Sequence, residues 1–437
     1  MLSPMGETLT QTSCTINHMN EVEKLYVQAK TSQATWAALP LQKRIGKVLT
    51  LRETLINHTE DLLTLLPSGE NEEFPALVGE VLASVERISQ ACKAGSETLS
   101  TVVEKQRTLL SFHQKTLVHR HPMGVLLFVG TSSLPMLSVL SRLAPALIAG
   151  NAVIIASPNA RGAHQKIIDL CMESGLPYGL VQYECRPNSA FQDLLEPRPA
   201  KVFAWGDDSE ISSLGARVSA LGLPWEYELP THRMGVVLSD GDVDLASSAL
   251  LSSLSDALVP SDPTEHYYLH ERVLEPIIGQ FTRKSETLPT ALKTAPRVQR
   301  FLKRENITSF RGISEIVAEL KKIQNTLHIT TFSKNLHLAH DFARQVGAAS
   351  VVINDQPYTP AVLPLSPDIF TQTQRITLPR MSWIHFKAPW WLPHSPFQLA
   401  TFKTYLDLYR RHLAARIKAV PLLLWNLIQM FKNERRL

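Results

Sequence analysis

Residues 123–156, MGVLLFVGTSSLPMLSVLSRLAPALIAGNAVIIA, constrain this chain more than any other segment, because they contain a single charge, Arg142. A run this apolar either crosses a membrane or lies in a core. Arg142, the polar break Thr131-Ser132-Ser133 and the turn pair Gly150-Asn151 divide it into pieces too short to span a bilayer. Residues 124–129 read as a buried strand ending at Gly130, residues 134–148 as a helix with Pro145 inside it, and residues 152–156 as a second apolar, β-branched strand. Strand, loop, helix, turn and strand make a βαβ unit. Strands apolar on both faces belong to a parallel sheet covered by helices.

The same alternation extends over most of the chain. Residues 20–105 read as helical, with Ile45, Val48, Leu49, Leu51, Leu55 and Leu62 at helical spacing. Residues 107–112 and 115–119 read as two strands of a hairpin. Beyond the βαβ unit, strands are expected at 180–183, 201–205, 226–229, 235–238, 266–270, 328–332 and 350–353. Helices are expected at 162–174, 209–221, 243–255, 270–284, 313–326 and 335–346. The fold class is α/β, and 437 residues suffice for two domains and a smaller third element.

Composition narrows the function. A net charge of +4 is too weak to argue for nucleic acid. Glycine numbers 19, about 4% against a usual level of roughly 7%, which is sparse for a protein built around phosphate-binding loops. The four cysteines, Cys14, Cys92, Cys171 and Cys185, form no CxxC pair, and no histidine cluster has metal-ligand spacing. Residues 1–20 are polar, without the apolar core of a secretory signal, so a reducing cytoplasmic setting is expected.

Several segments in order resemble the aldehyde dehydrogenase superfamily. Ala29, Trp36 and Arg44 match an early AxxxxxxW with its following arginine. Residues 121–158 match that family's first strand, Pro-rich loop, helix and Gly-Asn turn. SGLPYGLVQ at 174–182, YELPTHRMGVVLSDGDVDLA at 227–246 and AHDFARQVGAASVVIND at 339–355 match three later segments. The resemblance covers about residues 20–396. It implies an aldehyde dehydrogenase-like fold: a Rossmann-type NAD-binding-like domain over 1–227 with an oligomerisation hairpin near 107–121, and a catalytic-like domain over 228–357. Residues 358–396 would return to the first domain and the oligomerisation element. It also implies a dimer, or pairing with an active relative, and NAD or NADP as cofactor if any is bound.

In that family a Cys thiolate attacks an aldehyde, an Asn side chain and a backbone N–H stabilise the oxyanion, a Glu is the general base, and NAD takes the hydride. By resemblance Glu228 stands at the base position, either as a retained base or as a fold-supporting carboxylate. The nucleophile belongs 33 residues further on, where Ser261 or Asp262 stands between Pro260 and Pro263. An alcohol there would need an adjacent base to match a thiolate. Ser133 falls at the oxyanion Asn, and Ala156 at the cofactor-contacting lysine. The Gly-rich turn for the pyrophosphate becomes Ala204-Trp205-Gly206-Asp207-Asp208, in which Gly206 remains and two carboxylates would repel a phosphate. Pro230 and Thr231 replace a glycine pair, Phe301 is a remnant of a late motif, and the last Gly-rich loop, residues 363–373, has no glycine. The fold reads as kept and the dehydrogenase apparatus as dismantled. The expected function is a divergent family member with weak or lost NAD(P)-dependent aldehyde oxidation. The alternatives are a non-catalytic scaffold or regulator, and an altered enzyme using Glu228 with Ser261 or Asp262 on an ester or acyl compound.

Residues 397–437 form a basic tail with eight Lys/Arg against two Asp/Glu, a net +6 that leaves about −2 on the rest. Its apolar centre, residues 419–431, is interrupted by Asn426 and Gln429 and flanked by basic residues. That pattern suits a helix lying on a membrane surface through residues 412–437, or one packed against protein.

Overall fold

Both strands of the βαβ unit are buried at every position, so their sheet must be covered on both faces, and the helices that cover it dominate the first half of the chain. The computed structural model describes residues 7–65, 74–104, 114–130, 135–157, 161–185, 191–206, 208–228, 232–255, 266–288, 290–294, 296–323, 327–355, 365–379, 396–408 and 413–434. Four helices come first: α1 (Glu7–Ala37), α2 (Leu41–Asn57), α3 (Thr59–Leu65) and α4 (Phe74–Thr98). After β1 (Val102–Glu104) and β2 (Gln114–Pro122) the first parallel sheet begins. It runs β3 (Val125–Gly130), α5 (Pro135–Ala149), β4 (Ala152–Ala156), α6 (Arg161–Glu173), β5 (Val181–Glu184), α7 (Phe191–Leu195), β6 (Lys201–Trp205), α8 (Asp208–Ala220) and β7 (Trp225–Glu228). Its five strands are parallel in the order β5-β4-β3-β6-β7.

A second sheet repeats the plan. It runs β8 (His232–Val237), α9 (Val243–Ser255), β9 (His266–His270), α10 (Glu271–Ser285), α11 (Thr290–Lys293), α12 (Pro296–Leu302), β10 (Ile307–Phe310), α13 (Ile313–Leu320), β11 (Leu327–Phe332), α14 (Leu336–Val346) and β12 (Ser350–Ile353). Its strands are also parallel, in the order β10-β9-β8-β11-β12. In each sheet the chain winds outward from the central strand, then crosses to the other side. That reversal opens a crevice at the carboxyl ends of β3 and β6, and another at β8 and β11.

The chain divides into two compact units, one of residues 1–101 with 119–374 and one of residues 102–118 with 375–437. β13 (Thr371–Pro379) completes a three-stranded sheet in the order β1-β2-β13, and α15 (Pro396–Asp407) and α16 (Leu413–Glu434) follow. The expected hairpin is present, but its first arm is β1 at 102–104, antiparallel to β2. The arm expected at 107–112 lies outside the described residues, as do the aromatics of 389–395. β13 was not anticipated, because its burial pattern, exposed at most positions, carries little apolar alternation. Helices α11 and α12 and strand β10 were likewise unannounced by periodicity.

The early Trp and Arg do structural work on α5. The Trp36 indole N–H donates to the Leu147 carbonyl at 2.8 Å, and Arg44 Nε donates to the Ile148 carbonyl at 3.0 Å. Both satisfy carbonyls in the last turn of α5 that have no partner within the helix. Burial pushes the Arg44 guanidinium down from its ordinary value. Gly150 takes φ +99, and Asn151 then accepts from Gly124 N at 2.9 Å and donates to the carbonyls of Ala146 and Phe370 at 3.1 and 2.9 Å. The Gly-Asn turn thereby ties together α5, β3 and the 3-10 turn Pro367–Phe370.

At the surface His58 joins three helices. Its Nδ1 lies 2.9 Å from Asp61 on α3, and its Nε2 lies 2.9 Å from Glu173 on α6, with Lys166 3.6 Å from Asp61. The hydrogen bonds to Asp61 and then Glu173 raise the His58 pKa above its ordinary 6.5. A raised histidine pKa contributes stability that is complete below 6.5 and fades as pH rises through the folded-state value. Thermal melts across pH 6–8 are therefore expected to show a decline that His58→Ala removes; equal slopes for the two proteins would refute the staple.

Candidate active site

The crevice at the carboxyl edge of the first sheet is where a nucleotide enters folds of this topology. In this chain Trp205, Arg142 and Glu228 meet at that edge. β3 ends at Gly130, β6 at Trp205 and β7 at Glu228, and Arg142 reaches the same edge from α5. All residues of α5 are buried, so its single charge has no route to water. Arg142 Nη2 donates to Glu228 Oε2, Nη1 donates to the Ser138 carbonyl at 2.5 Å, and the guanidinium carbon lies 4.4 Å from the centre of the Trp205 ring. The Arg142 side chain is 3% exposed and that of Glu228 37%. Desolvation lowers the Arg142 pKa, and the Glu228 carboxylate opposes that shift.

Trp205 closes the crevice from the other side. A Cβ placed on Gly130 would lie 2.0 Å from the indole, so the ring rests directly on the Gly130 backbone. The indole also meets Phe128 edge-on at 6.0 Å. Here glycine serves a close approach by a side chain of the chain itself.

The helix ends at this edge are engaged as well. Glu80, buried on α4, accepts from the amides of Met136 and Leu137 at 2.7 and 3.0 Å. Its carboxylate thus occupies the positive end of α5 that could otherwise receive an anion. Helix α8 opens at Asp208. Ala156, at the place of the expected lysine, is buried without exposure at the end of β4. Nearby His164 is held neutral: its Nε2 donates to the Pro135 carbonyl at 3.0 Å, and burial lowers its pKa to about 4.

The expected site residues are only partly brought together. Glu228 reaches the crevice edge as the partner of Arg142, with one carboxylate oxygen engaged and the side chain still 37% exposed. Gly206 follows Trp205 with φ +151. Ser133, Ser261 and Asp262 lie outside the described residues, as does Asp207. Phe301 is a core residue, tilted against Phe281 at 4.3 Å and edge-on to Tyr267 at 5.2 Å. The glycine-free stretch that ends the chain's return places Phe370 on Phe203 at 4.7 Å, which turns an expected cofactor loop into core. Two of the described cysteines are buried and one, Cys185, is exposed. Burial pushes Cys92 up to about 11 and Cys171 up to about 12, and neither is near a thiolate at neutral pH.

The crevice of the second sheet is closed by its own hydrogen bonds. Ser333 Oγ donates to Asp240 at 2.8 Å, Asn335 N donates to the same carboxylate at 2.8 Å, and Asn354 exchanges two bonds with the Ser333 backbone. Among the described residues no group of His, Cys, Asp and Glu could hold a metal ion.

The aldehyde dehydrogenase family profile matches residues 2–296. The chain belongs to the aldehyde dehydrogenase family. It is 25% identical over 236 residues to an NADP-dependent glyceraldehyde-3-phosphate dehydrogenase of Streptococcus equinus, covering 53% of this chain and 49% of that protein. It is 27% identical over 238 residues to the enzyme of that name from Nicotiana plumbaginifolia, covering 53% and 47%. The chain therefore spans about half the length of these relatives. Among solved structures, a NAD-dependent benzaldehyde dehydrogenase of Corynebacterium glutamicum superposes with a TM-score of 0.69 at 17% identity, covering 83% of this chain and 90% of that one. A succinate-semialdehyde dehydrogenase of Burkholderia pseudomallei gives 0.72 at 14% identity, covering 83% and 90%. At such identities the superpositions establish the aldehyde dehydrogenase fold.

The residues present at the first crevice do not fit a dinucleotide. An indole lies on Gly130, and a carboxylate caps α5. Arg142, Trp205 and Glu80 are the residues that sequence reading missed. The available signal was the lone charge in an otherwise apolar helix, since a buried cation demands a buried or half-buried anion.

Two stability measurements check this packing. Gly130→Ala is expected to cost about 1–3 kcal/mol by overpacking, and Trp205→Ala in the same chain should recover part of that loss. Additive losses in the double-mutant cycle would contradict the contact. Glu228→Ala is expected to cost about 2–3 kcal/mol, below the ~3–5 of a fully buried pair because Glu228 is partly solvated. Denaturant unfolding of Glu228→Ala in an Arg142→Met background should show little further loss.

Proposed function

We propose that this chain is an aldehyde dehydrogenase family protein whose NAD(P)-dependent aldehyde oxidation is weak or lost, a pseudoenzyme that keeps the fold as a scaffold. The observation that carries this reading is the Trp205–Arg142–Glu228 stack. It stands at the carboxyl edge of β6 and β7, where a dinucleotide would enter, and engages the carboxylate that would serve as general base. A base must accept a proton from water held beside it, and the guanidinium on Oε2 favours the ionised carboxylate and leaves one oxygen, Oε1, for that task. The missing thiol supports the same reading, since no cysteine follows Cys185 in the sequence. Ser261 and Asp262, at the nucleophile's place in the family pattern, offer an alcohol and a carboxylate in its stead.

The relatives carry NADP or NAD in their names, so those two nucleotides are the ones to test. Calorimetric titration of the full-length chain with each is expected to give no binding at millimolar concentration. Ser261→Cys and Asp262→Cys, assayed with an aldehyde and either nucleotide, are expected to remain without NAD(P)H formation, because a restored thiol leaves the crevice closed. Micromolar binding of either nucleotide, or turnover by either cysteine variant, would sink the proposal and return the chain to the active dehydrogenases.

A further inference from the structure

Helices α15 and α16 pack as a pair with a partly polar seam and a largely apolar outward side. In water a helical hairpin turns apolar side chains into its seam and polar ones outward. Here the seam holds Thr401 and Thr404 of α15, both buried, and Asn426 of α16, whose Nδ2 donates to Thr404 Oγ1 at 3.0 Å. Ala419 is buried on the same side of α16. The outward side of α15 shows Leu399, Phe402 and Leu406, spaced by three and four residues. On α16, Ile417, Val420, Leu424 and Ile428 recur at helical spacing and are all exposed. At about 100° per residue they share one face, roughly 180° from the face of Ala419 and Asn426. Trp425 borders that face and is 59% exposed, and Leu413, at its start, is 68% exposed.

A face of this kind in a two-helix unit requires an apolar neighbour. Three candidates exist: a membrane, a second copy of the chain, and another protein. Charge separates them. Residues 397–437 carry +6; in the sequence Arg410, Arg411, Arg416 and Lys418 precede or open the apolar stretch and Lys432, Arg435 and Arg436 follow it. A second copy would bring the same +6 against it. An anionic bilayer offers apolar depth between rows of negative headgroups, which is the complement of an apolar stripe with basic ends. Among the described residues no helix is long and apolar enough to cross a membrane, so the pair would lie in the interface rather than span it.

We propose that the outward face of α15 and α16 docks on an anionic lipid surface, with Ile417, Leu424, Trp425 and Ile428 in the acyl boundary and the exposed Lys403, Arg416 and Lys418 at the headgroups. The test is co-sedimentation of the full-length chain with phosphatidylcholine vesicles, with and without phosphatidylserine. The chain is expected to sediment with the phosphatidylserine vesicles, weakly with the neutral ones, and to be released by salt. Leu424→Ser with Trp425→Ser should lower partitioning by more than about tenfold, since two exposed anchors are lost. Lys403→Gln with Lys418→Gln, both at exposed positions, should lower it about tenfold on the anionic vesicles alone. The second pair keeps the test alive if the first melts early. Brominated lipid should quench a fluorescence component that Trp425→Phe lacks. A chain that stays in the supernatant with both vesicle types overturns the proposal. So does a soluble dimer that Trp425→Ser dissociates without vesicle binding, which would assign the face to a second copy.

Discussion

Arg142 is the constraint around which the first sheet is organised. A guanidinium loses several kcal/mol of hydration when it is taken into a core, and it is tolerated there only with an anion and enough acceptors. Helix α5 supplies none of its own beyond the Ser138 carbonyl, because every residue of the helix is buried. The remaining partners come from other strands: the carboxylate of Glu228 at the end of β7 and the π face of Trp205 at the end of β6. One charge therefore fixes the relative positions of α5, β6 and β7. The indole it attracts is the group that lies over Gly130 and closes the crevice. The pairing adds geometry more than stability, since a buried pair roughly balances its desolvation.

The same edge shows how a fold's functional features can be turned to structural ends without changing its topology. A strand-ending glycine admits a backbone close to a phosphate in nucleotide-binding sheets, and here it admits an indole. A helix N-terminus that attracts an anion is satisfied from within by Glu80. The last loop contributes Phe370 to an aromatic cluster with Phe203 and Phe128. Each replacement is local, and none disturbs the parallel register of β3 with β4 and β6.

Much of this architecture is legible in the sequence, for a physical reason that also marks the limit. Strands buried on both faces must be apolar throughout, so β3 and β4 announce themselves, as does α5 between them. Strands exposed on one or both faces carry no such demand. That is why β13 goes unread and why β1 lies a few residues before the expected arm. The Gly-Asn turn, Trp36 and Arg44 are legible as a resemblance, and their hydrogen bonds to α5 and to its flanking turn give the reason for their presence. Glu228 is legible as a position, while its partner is not. Arg142 reads along the chain only as a break in an apolar run, because a contact across 86 residues leaves no local signature.

A closed crevice also changes what the fold can draw on for stability. A protein that binds a nucleotide in its native state gains RT ln(1 + [L]/Kd), about 2.7 kcal/mol at a hundredfold excess over Kd. A chain without that ligand must reach its stability from covalent parts alone, and an open apolar cleft would leave voids that cost energy in proportion to their size. Trp205 on Gly130, Glu80 on α5 and Phe370 on Phe203 fill such places with side chains that are always present. On the proposed reading the first sheet would gain nothing from a nucleotide. Cofactor insensitivity of the unfolding transition would then follow from the contacts at that edge, which trace to the placement of one indole and one buried cation.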